Sequence, residues 1–173
     1  MSAEELRARI REIPDFPKPG ILFYDITTLL KDQAAFRESV RLMLAPFKGD
    51  KIDIVVGMES RGFIFSAPMA YELGAGLVPV RKLGKLPAET LSVEYALEYG
   101  SNTLEIHRDA IQAGQRVLIV DDLLATGGTV QGTIELVQRL KGEVVGLAFL
   151  VELEFLHGRE QLGGHRVTSV IRY

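Results

Sequence analysis

Short, almost continuously apolar runs alternate along the chain with longer segments whose apolar residues recur at helical spacing. Apolar runs of this length, bounded by polar residues, are typical of strands that are buried on both faces. Strands are predicted over residues 51–58, 76–81, 116–121, 143–151 and 167–171. Helices are predicted between them over residues 63–73 and 128–140, with at most a short helix over 157–162. Strands separated by helices indicate an α/β fold with a mostly parallel central sheet.

The N-terminal part does not follow this alternation. Ser2 and Glu5 have the spacing of a capping box, and an apolar stripe predicts one helix that ends at about Ile13. The prolines within residues 14–19 exclude a regular helix, so an extended connection is expected there. The next helix is predicted over residues 34–46. We therefore expect a single domain, residues 1–173, with an N-terminal elaboration.

A second irregular segment runs from Lys82 to His107. It begins with the basic sequence LGKLPAET and continues with stretches in which apolar and polar residues alternate. This alternation predicts a loop that leads into two paired strands, with the turn near Tyr99 and Gly100.

Composition and charge exclude several classes of protein. The formal net charge of −3, from 23 acids and 20 bases, does not suit a nucleic-acid-binding protein that works through bulk electrostatics. Cysteine is absent, which excludes disulfides and thiolate metal sites, and the three histidines lack metal-ligand spacing. No apolar run approaches the roughly 18 residues of a membrane span. The charged N-terminal sequence lacks the apolar core of a signal peptide, so a cytoplasmic location is expected.

The sequence VLIVDDLLATGGTV contains the clearest candidate site. Asp121 and Asp122 follow the predicted buried strand, and the turn ATGGT leads into the helix that starts near Gly128. Ligands bind at the carboxyl ends of parallel strands, and a glycine turn before a helix offers backbone N–H groups to an anion. The turn therefore suits a phosphate, while the two acids suit neutral hydroxyls or a magnesium-bound diol. A sugar phosphate satisfies both requirements.

Cationic residues follow two other predicted strands. Arg61 comes after the strand over 51–58, and Arg81, Lys82 and Lys85 come at the end of the strand over 76–81. Because these positions are also strand carboxyl ends, we expect them on the same side of the sheet as Asp121. A basic loop is more often a solvated surface than a binding site, so these residues alone leave both explanations open.

Several segments resemble, in order along the chain, those of the type I phosphoribosyltransferase family, and among its members those that act on adenine. The resemblance covers about Ile13 to Glu160 and rests on PDFPKPGILFYDIT, ESRGFIF, VRKLGKLPAET, YALEYG and VDDLLATGGT. It implies the type I phosphoribosyltransferase fold, in which residues 1–33 form an N-terminal helix and a hood over the base. Residues 34–173 would form the core, with a flexible loop at about 82–100.

The implied activity is transfer of a phosphoribosyl group from 5-phosphoribosyl 1-pyrophosphate to adenine, giving AMP and pyrophosphate. The implied cofactor is Mg²⁺, held through the substrate with no direct protein ligand. The family also implies a homodimer. Neither nucleic acid nor a membrane is an expected partner.

The resemblance assigns a role to each candidate residue. The catalytic glutamate is matched by Glu98, with Tyr99 beside it, and the ribose hydroxyls are assigned to Asp121 and Asp122. The 5′-phosphate is assigned to Ala125, Thr126, Gly127, Gly128 and Thr129. Pyrophosphate is assigned to Glu59, Ser60, Arg61, Arg81, Lys82 and Lys85, and the Glu59–Ser60 peptide is expected to be cis. The base is assigned to the hood segment Leu22, Phe23, Tyr24 and Asp25.

Two other functions stay open at this point. A phosphoribosyltransferase for another purine would share the sugar-phosphate turn and differ in the hood, and PDFPKPG favours adenine. A non-catalytic sensor of phosphoribosyl pyrophosphate would normally append a DNA-binding module, for which the chain has no basic helix.

One departure from the family is Tyr24, which stands where other members often have arginine. This change matters for base affinity only if the contact there uses the side chain.

Overall fold

A seven-stranded sheet forms the centre of the computed structural model, which describes residues 1–97 and 100–173. A separate two-stranded antiparallel sheet consists of β1 (Arg11–Ile13) and β2 (Phe23–Asp25). The strands of the central sheet are β3 (Ile54–Met58), β4 (Gly76–Lys82), β5 (Thr90–Leu97), β6 (Gly100–His107), β7 (Arg116–Leu124), β8 (Glu143–Glu152) and β9 (Val167–Arg172). Their spatial order is β5-β6-β4-β3-β7-β8-β9. The pairs among β4, β3, β7, β8 and β9 are parallel, and β6 and β5 extend the sheet antiparallel. The predicted mostly parallel sheet and paired strands are confirmed.

Helices cover both faces of the sheet. The helices are α1 (Ala3–Arg7), α2 (Thr27–Leu30), α3 (Gln33–Leu44), α4 (Gly62–Leu73) and α5 (Gly128–Arg139), with short 3-10 turns at Ala45–Phe47, Glu154–Leu156 and Gly158–Leu162. The side chains of β3 alternate, so that Val55 packs under α3 and α4 while Val56 packs under α5. This burial on both faces explains the continuous apolar runs of the core strands. No helix in residues 1–97 and 100–173 has the length and apolar content needed to cross a membrane.

The N-terminal helix is shorter than the prediction. Its capping box between Ser2 and Glu5 is present, but α1 ends at Arg7 instead of about Ile13. After a turn over residues 8–10, the chain forms β1, whose Ile13 pairs with Phe23 across the proline-containing connection. Pairing with a distant segment overrides the local helical pattern here, because backbone hydrogen bonds to β2 replace those of a further helical turn. The two strands and their connection form the hood.

Candidate active site

Three parallel strands direct their carboxyl ends towards the same edge of the sheet. Gly57 of β3 pairs with Val120 of β7, and Met58 pairs with Val80 of β4. The residues that follow these pairs include Glu59 and Asp121. The candidate diol and pyrophosphate groups therefore share one edge, as their positions after predicted strands indicated.

The two acids of this edge have different surroundings. β7 continues to Leu124 and does not end at Asp121 as predicted, because β8 remains paired with it as far as Glu152. The carboxylate of Asp122 is buried and accepts a hydrogen bond of 2.6 Å from Nε of Arg61. The carboxylate of Asp121 accepts one of 2.8 Å from the Asp122 backbone N–H. Burial, followed by the negative charge of Asp122, raises the pKa of Asp121 well above its ordinary value.

The first residue of α4 makes room for Asp121. A Cβ on Gly62 would lie 2.7 Å from Oδ1 of Asp121 and 3.3 Å from the Val120 carbonyl oxygen. Only a glycine permits this close approach of the helix to β7. The carboxylate of Asp121 is consequently held against the amino end of α4, where the helix dipole favours a negative group.

A glycine turn connects β7 to α5. Gly127 precedes the helix with φ of 90°, a left-handed conformation that glycine adopts without steric cost. α5 begins at Gly128, as predicted, and the N–H groups of its first turn have no acceptor within the helix. The turn combines these donors with the hydroxyl of Thr129 and contains no acid. This arrangement suits a phosphate dianion.

A second segment supports this turn from behind, and no pattern in the sequence pointed to it. A Cβ on Gly158 would lie 2.1 Å from the Ala125 carbonyl oxygen, so the two backbones are in direct contact. Arg159 fixes the segment because its Nε donates to the buried Glu152 carboxylate at 2.9 Å and its Nη1 donates to the Val167 carbonyl at 2.8 Å. The ion pair at the end of β8 thus holds the segment that contacts the glycine turn.

On the β4 side of Asp121, the carboxylate of Glu59 binds two of the basic residues. Glu59 accepts hydrogen bonds from the Lys82 backbone N–H at 2.9 Å and from Nη2 of Arg81 at 2.7 Å. These two contacts lower the pKa of Glu59, the backbone donor more than the arginine. The Glu59–Ser60 peptide is cis, as the resemblance implied. Lys82 and Lys85 are exposed, so their ammonium groups face solvent beside this edge.

The hood closes the other side of the acids. A cavity of about 160 Å³ is lined by hood residues that include Leu22 and Phe23, and by Leu153 and Val151 from the β8 end. Asp122 and Arg61 also line this cavity, and the Arg61 guanidinium lies 5.8 Å from the centre of the Phe23 ring. A mostly apolar slot is therefore lined in part by the buried acid Asp122.

The other two residues assigned to the base have side-chain partners within the hood and its support. The Tyr24 ring stacks on Tyr173 at 3.9 Å, and the Arg7 guanidinium lies 4.1 Å from the Tyr173 ring centre. Burial is the main cause of the raised pKa of Tyr24. The Asp25 carboxylate binds Arg11 and the N–H and hydroxyl of Thr27. These contacts anchor the hood, and the tyrosine therefore has a packing function where other members often have arginine.

The hood anchor at Asp25 should make stability depend on pH. Hydrogen bonds from Thr27 and Arg11 lower the pKa of Asp25 from 3.8 to about 2, so its stabilising contribution is complete above pH 4 and is lost as the pH falls towards 2. We expect wild type to exceed Asp25→Asn in free energy of unfolding by a margin that shrinks by about 1–2 kcal/mol across this window. Urea titrations between pH 5 and 2.5 measure this margin, and a margin independent of pH would contradict the assignment.

The two residues assigned to catalysis, Glu98 and Tyr99, lie outside the described residues. The strands that flank them are described, and Leu97 pairs with Gly100 in register. Another hairpin residue, Tyr95, contacts the glycine turn, with its hydroxyl 3.4 Å from that of Thr129. Sequence reasoning did not single out Tyr95, since a tyrosine in an alternating strand is ordinary.

Comparison with known proteins agrees with this geometry. A sequence model of the phosphoribosyl transferase domain family matches residues 25–162. The chain is 57% identical over 173 residues to an adenine phosphoribosyltransferase of Acidobacterium capsulatum, covering 100% of this chain and 96% of the relative. It is 57% identical over 170 residues to that of Acetivibrio thermocellus, covering 98% and 99% of the two chains.

Solved structures show the same likeness. The crystal structure of adenine phosphoribosyltransferase from Thermoanaerobacter pseudethanolicus superposes with a TM-score of 0.96 at 56% identity, covering 99% of this chain and all of the other. The structure of the Saccharomyces cerevisiae enzyme superposes with a TM-score of 0.91 at 42% identity, covering 97% of each chain. It was solved as a complex with an imino-altritol bisphosphate and adenine. With a domain match over most of its length and relatives of this identity, the chain belongs to the phosphoribosyltransferase family.

Proposed function

We propose that this protein transfers the phosphoribosyl group of 5-phosphoribosyl 1-pyrophosphate to adenine, giving AMP and pyrophosphate. The observation that carries the proposal is the position of a phosphate-type glycine turn and a pair of acids beside an apolar slot. The turn opens at Gly127, and the slot reaches Asp122. The full-length relatives at 57% identity bear the name of this activity.

The substrate spans the sheet edge in this proposal. Its 5′-phosphate binds the turn from Ala125 to Thr129, and its 2′- and 3′-hydroxyls donate to Asp121 and Asp122. Hydroxyls are suitable partners because a buried carboxylate needs hydrogen-bond donors to remain charged. Asp122 must then accept from the ribose in addition to Arg61 or in place of it. In the second case the half-exposed arginine becomes available to pyrophosphate.

Pyrophosphate binds on the β4 side of the acids. The donors there are Ser60, Arg61, Arg81, Lys82 and Lys85. Glu59 enters this group in a different way, because its carboxylate is already bonded to Arg81 and the Lys82 N–H and would repel a polyphosphate. We therefore assign Glu59 to the positioning of these cations, not to pyrophosphate itself.

The chemistry is a displacement at the anomeric carbon. The N9 nitrogen of adenine forms a bond to C1′ while the bond from C1′ to the pyrophosphate oxygen breaks. Positive charge builds on the ribose as the leaving group departs, and the carboxylates of Asp121 and Asp122 stabilise it electrostatically. The proton lost from the adenine imidazole ring passes to a carboxylate, for which we propose Glu98 with Tyr99 beside it.

We propose that Mg²⁺ enters with the substrate. Magnesium usually keeps several waters and binds substrate phosphate oxygens, so the oxygens of the substrate can hold it with no direct ligand from this chain. Asp121 and Asp122 would act on the ion only through the ribose hydroxyls that they bind. The ion would neutralise charge on the departing pyrophosphate, and the residues of this chain would hold the substrate around it.

The hood selects adenine in this proposal. Leu22 and Phe23 provide apolar contact, while Tyr24 and Asp25 contribute through the main chain because their side chains anchor the hood. Main-chain N–H and C=O groups can pair with the amino edge of adenine. The complex of the yeast relative with adenine supports the choice of base.

A product assay tests the proposed function. The purified protein, Mg²⁺ and phosphoribosyl pyrophosphate are incubated separately with adenine, hypoxanthine, guanine and xanthine, and the nucleotides are identified. AMP from adenine alone is the expected result. Formation of another nucleotide would mean that the hood selects a different purine. Binding of phosphoribosyl pyrophosphate without formation of any nucleotide would support a sensor function.

Replacement of Glu98, the proposed proton acceptor, should lower turnover without weakening substrate binding. Glu98→Gln removes the basic oxygen and keeps the shape, so we expect kcat to fall about 100-fold or more while the Kd of phosphoribosyl pyrophosphate changes little. Glu94→Gln, on the same hairpin, is the matched control and should retain activity. Parallel loss of turnover and substrate binding in Glu98→Gln would indicate a structural residue instead.

The remaining proposals concern organisation. We propose a single functional unit, residues 1–173, in which residues 1–33 form the N-terminal helix and hood and residues 34–173 the core. The segment expected to be a flexible loop, about 82–100, contains the strand Thr90–Leu97, so it is not a loop throughout. A homodimer is proposed because α4 is apolar on nearly every side, yet Ile64 and Tyr71 are exposed on it and Leu77 is exposed nearby on β4. A cytoplasmic location remains a proposal that rests on the sequence. Neither nucleic acid nor a membrane is proposed as a partner.

A further inference from the structure

The hairpin of β5 and β6 packs against α5 along a pair of glycines one helical turn apart. A Cβ on Gly132 would lie 3.2 Å from Val93 and 3.4 Å from Leu104, which is tighter than an ordinary van der Waals contact. A Cβ on Gly128 would lie 3.5 Å from Cδ2 of Tyr95. The absence of side chains on this face of α5 lets the Tyr95 ring lie over the amino end of the helix.

Two hydroxyl groups meet at this point without a good hydrogen bond between them. The Tyr95 and Thr129 oxygens are 3.4 Å apart, whereas hydroxyl hydrogen bonds are usually about 2.7–2.8 Å long. Both groups can donate, and both lie beside the first-turn N–H groups of α5. Their separation allows one anionic oxygen to accept a hydrogen bond from each at normal length.

We propose that the Tyr95 hydroxyl binds the 5′-phosphate of the substrate together with Thr129. The proposal rests on the proposed function, in which the turn from Ala125 to Thr129 holds that phosphate. Tyr95 would add a ligand that comes from outside the turn and α5. It is part of the strand that leads directly to Glu98, so phosphate binding would also fix the position of the hairpin that bears the proposed proton acceptor.

The simpler alternative is that the Tyr95 ring only fills space on Gly128 and Gly132. The substitution Tyr95→Phe separates the two explanations because it keeps the ring and removes the hydroxyl. Val93→Ala is the matched control, since Val93 packs on the same helix face and has no polar group to offer a ligand. A packing role predicts a larger effect for Val93→Ala than for Tyr95→Phe.

Calorimetric titration with AMP, ribose 5-phosphate and adenine tests the proposal. A hydrogen bond to a charged acceptor predicts that Tyr95→Phe binds AMP and ribose 5-phosphate about tenfold more weakly than wild type. The affinity for adenine, which lacks phosphate, should stay within about twofold. The KM for phosphoribosyl pyrophosphate should rise by a similar factor, about tenfold.

Unchanged affinity of Tyr95→Phe for ribose 5-phosphate would overturn the proposal. So would weaker binding of all three ligands to the same extent, which would indicate a displaced hairpin. Failure of the proposed function has a different signature: wild type would then form no AMP from adenine. Ribose 5-phosphate binding still tests Tyr95 in that case, because it requires neither the base nor turnover.

Discussion

Asp122→Asn is expected to lower kcat about 100- to 1,000-fold, the usual cost of removing a charged group that stabilises a transition state. Asparagine keeps the shape of the side chain and can still accept from the ribose hydroxyls and from Arg61. It lacks the negative charge that faces the developing charge on the sugar. Steady-state kinetics with adenine and phosphoribosyl pyrophosphate measure this change.

The same substitution should affect stability much less. Arg61, the partner of Asp122, is half-exposed and can be solvated when the ion pair is lost, so we expect a change in free energy of unfolding within about 1 kcal/mol. Asp50→Asn is a matched control, because Asp50 pairs with Arg166 at 2.8 Å and precedes β3, at the amino end of the sheet. Asp50→Asn should keep full turnover. Full turnover in Asp122→Asn as well would remove this acid from the site.

Gly158→Ala should disrupt phosphate binding although residue 158 lies outside the glycine turn. The added methyl group would lie 2.1 Å from the Ala125 carbonyl oxygen, which is backbone and cannot rotate away. The turn must therefore shift, and a displacement of about 1 Å can cost roughly 100-fold in rate. We expect kcat/KM for phosphoribosyl pyrophosphate to fall by about this factor while the affinity for adenine is retained.

A second glycine nearby gives the control for this prediction. Gly163 has a φ of −51°, and nothing lies within 4 Å of the position that an added methyl group would take, so Gly163→Ala should leave activity unchanged. Circular dichroism and unfolding curves show whether Gly158→Ala is folded. A folded Gly158→Ala with normal kcat/KM would mean that the turn does not depend on the 157–162 segment.

The sequence alone predicted where several candidate site residues lie in the fold. The start of α5 at Gly128 and the shared edge of Asp121, Glu59 and Arg81 follow from buried strands that end in polar residues. The end of β7 was missed by three residues because it depends on continued pairing with β8. Local sequence does not contain that information.

Tertiary contacts explain the other differences. The predicted first helix gave way to a strand because Arg11–Ile13 pairs with Phe23–Asp25 across a connection that only the folded chain defines. Gly158 and Tyr95 were missed because each is ordinary in its own segment and becomes important through contact with the glycine turn. Glu59 was identified, but its orientation towards Arg81 and Lys82 could only come from the structure.

A crystal structure of the protein with phosphoribosyl pyrophosphate, Mg²⁺ and an unreactive adenine analogue tests the central claim most directly. We expect the 5′-phosphate on residues 125–129, the ribose hydroxyls within hydrogen-bonding distance of Asp121 and Asp122, and the base between the hood and Leu153. Pyrophosphate on the glycine turn, or a base bound away from the hood, would contradict this claim.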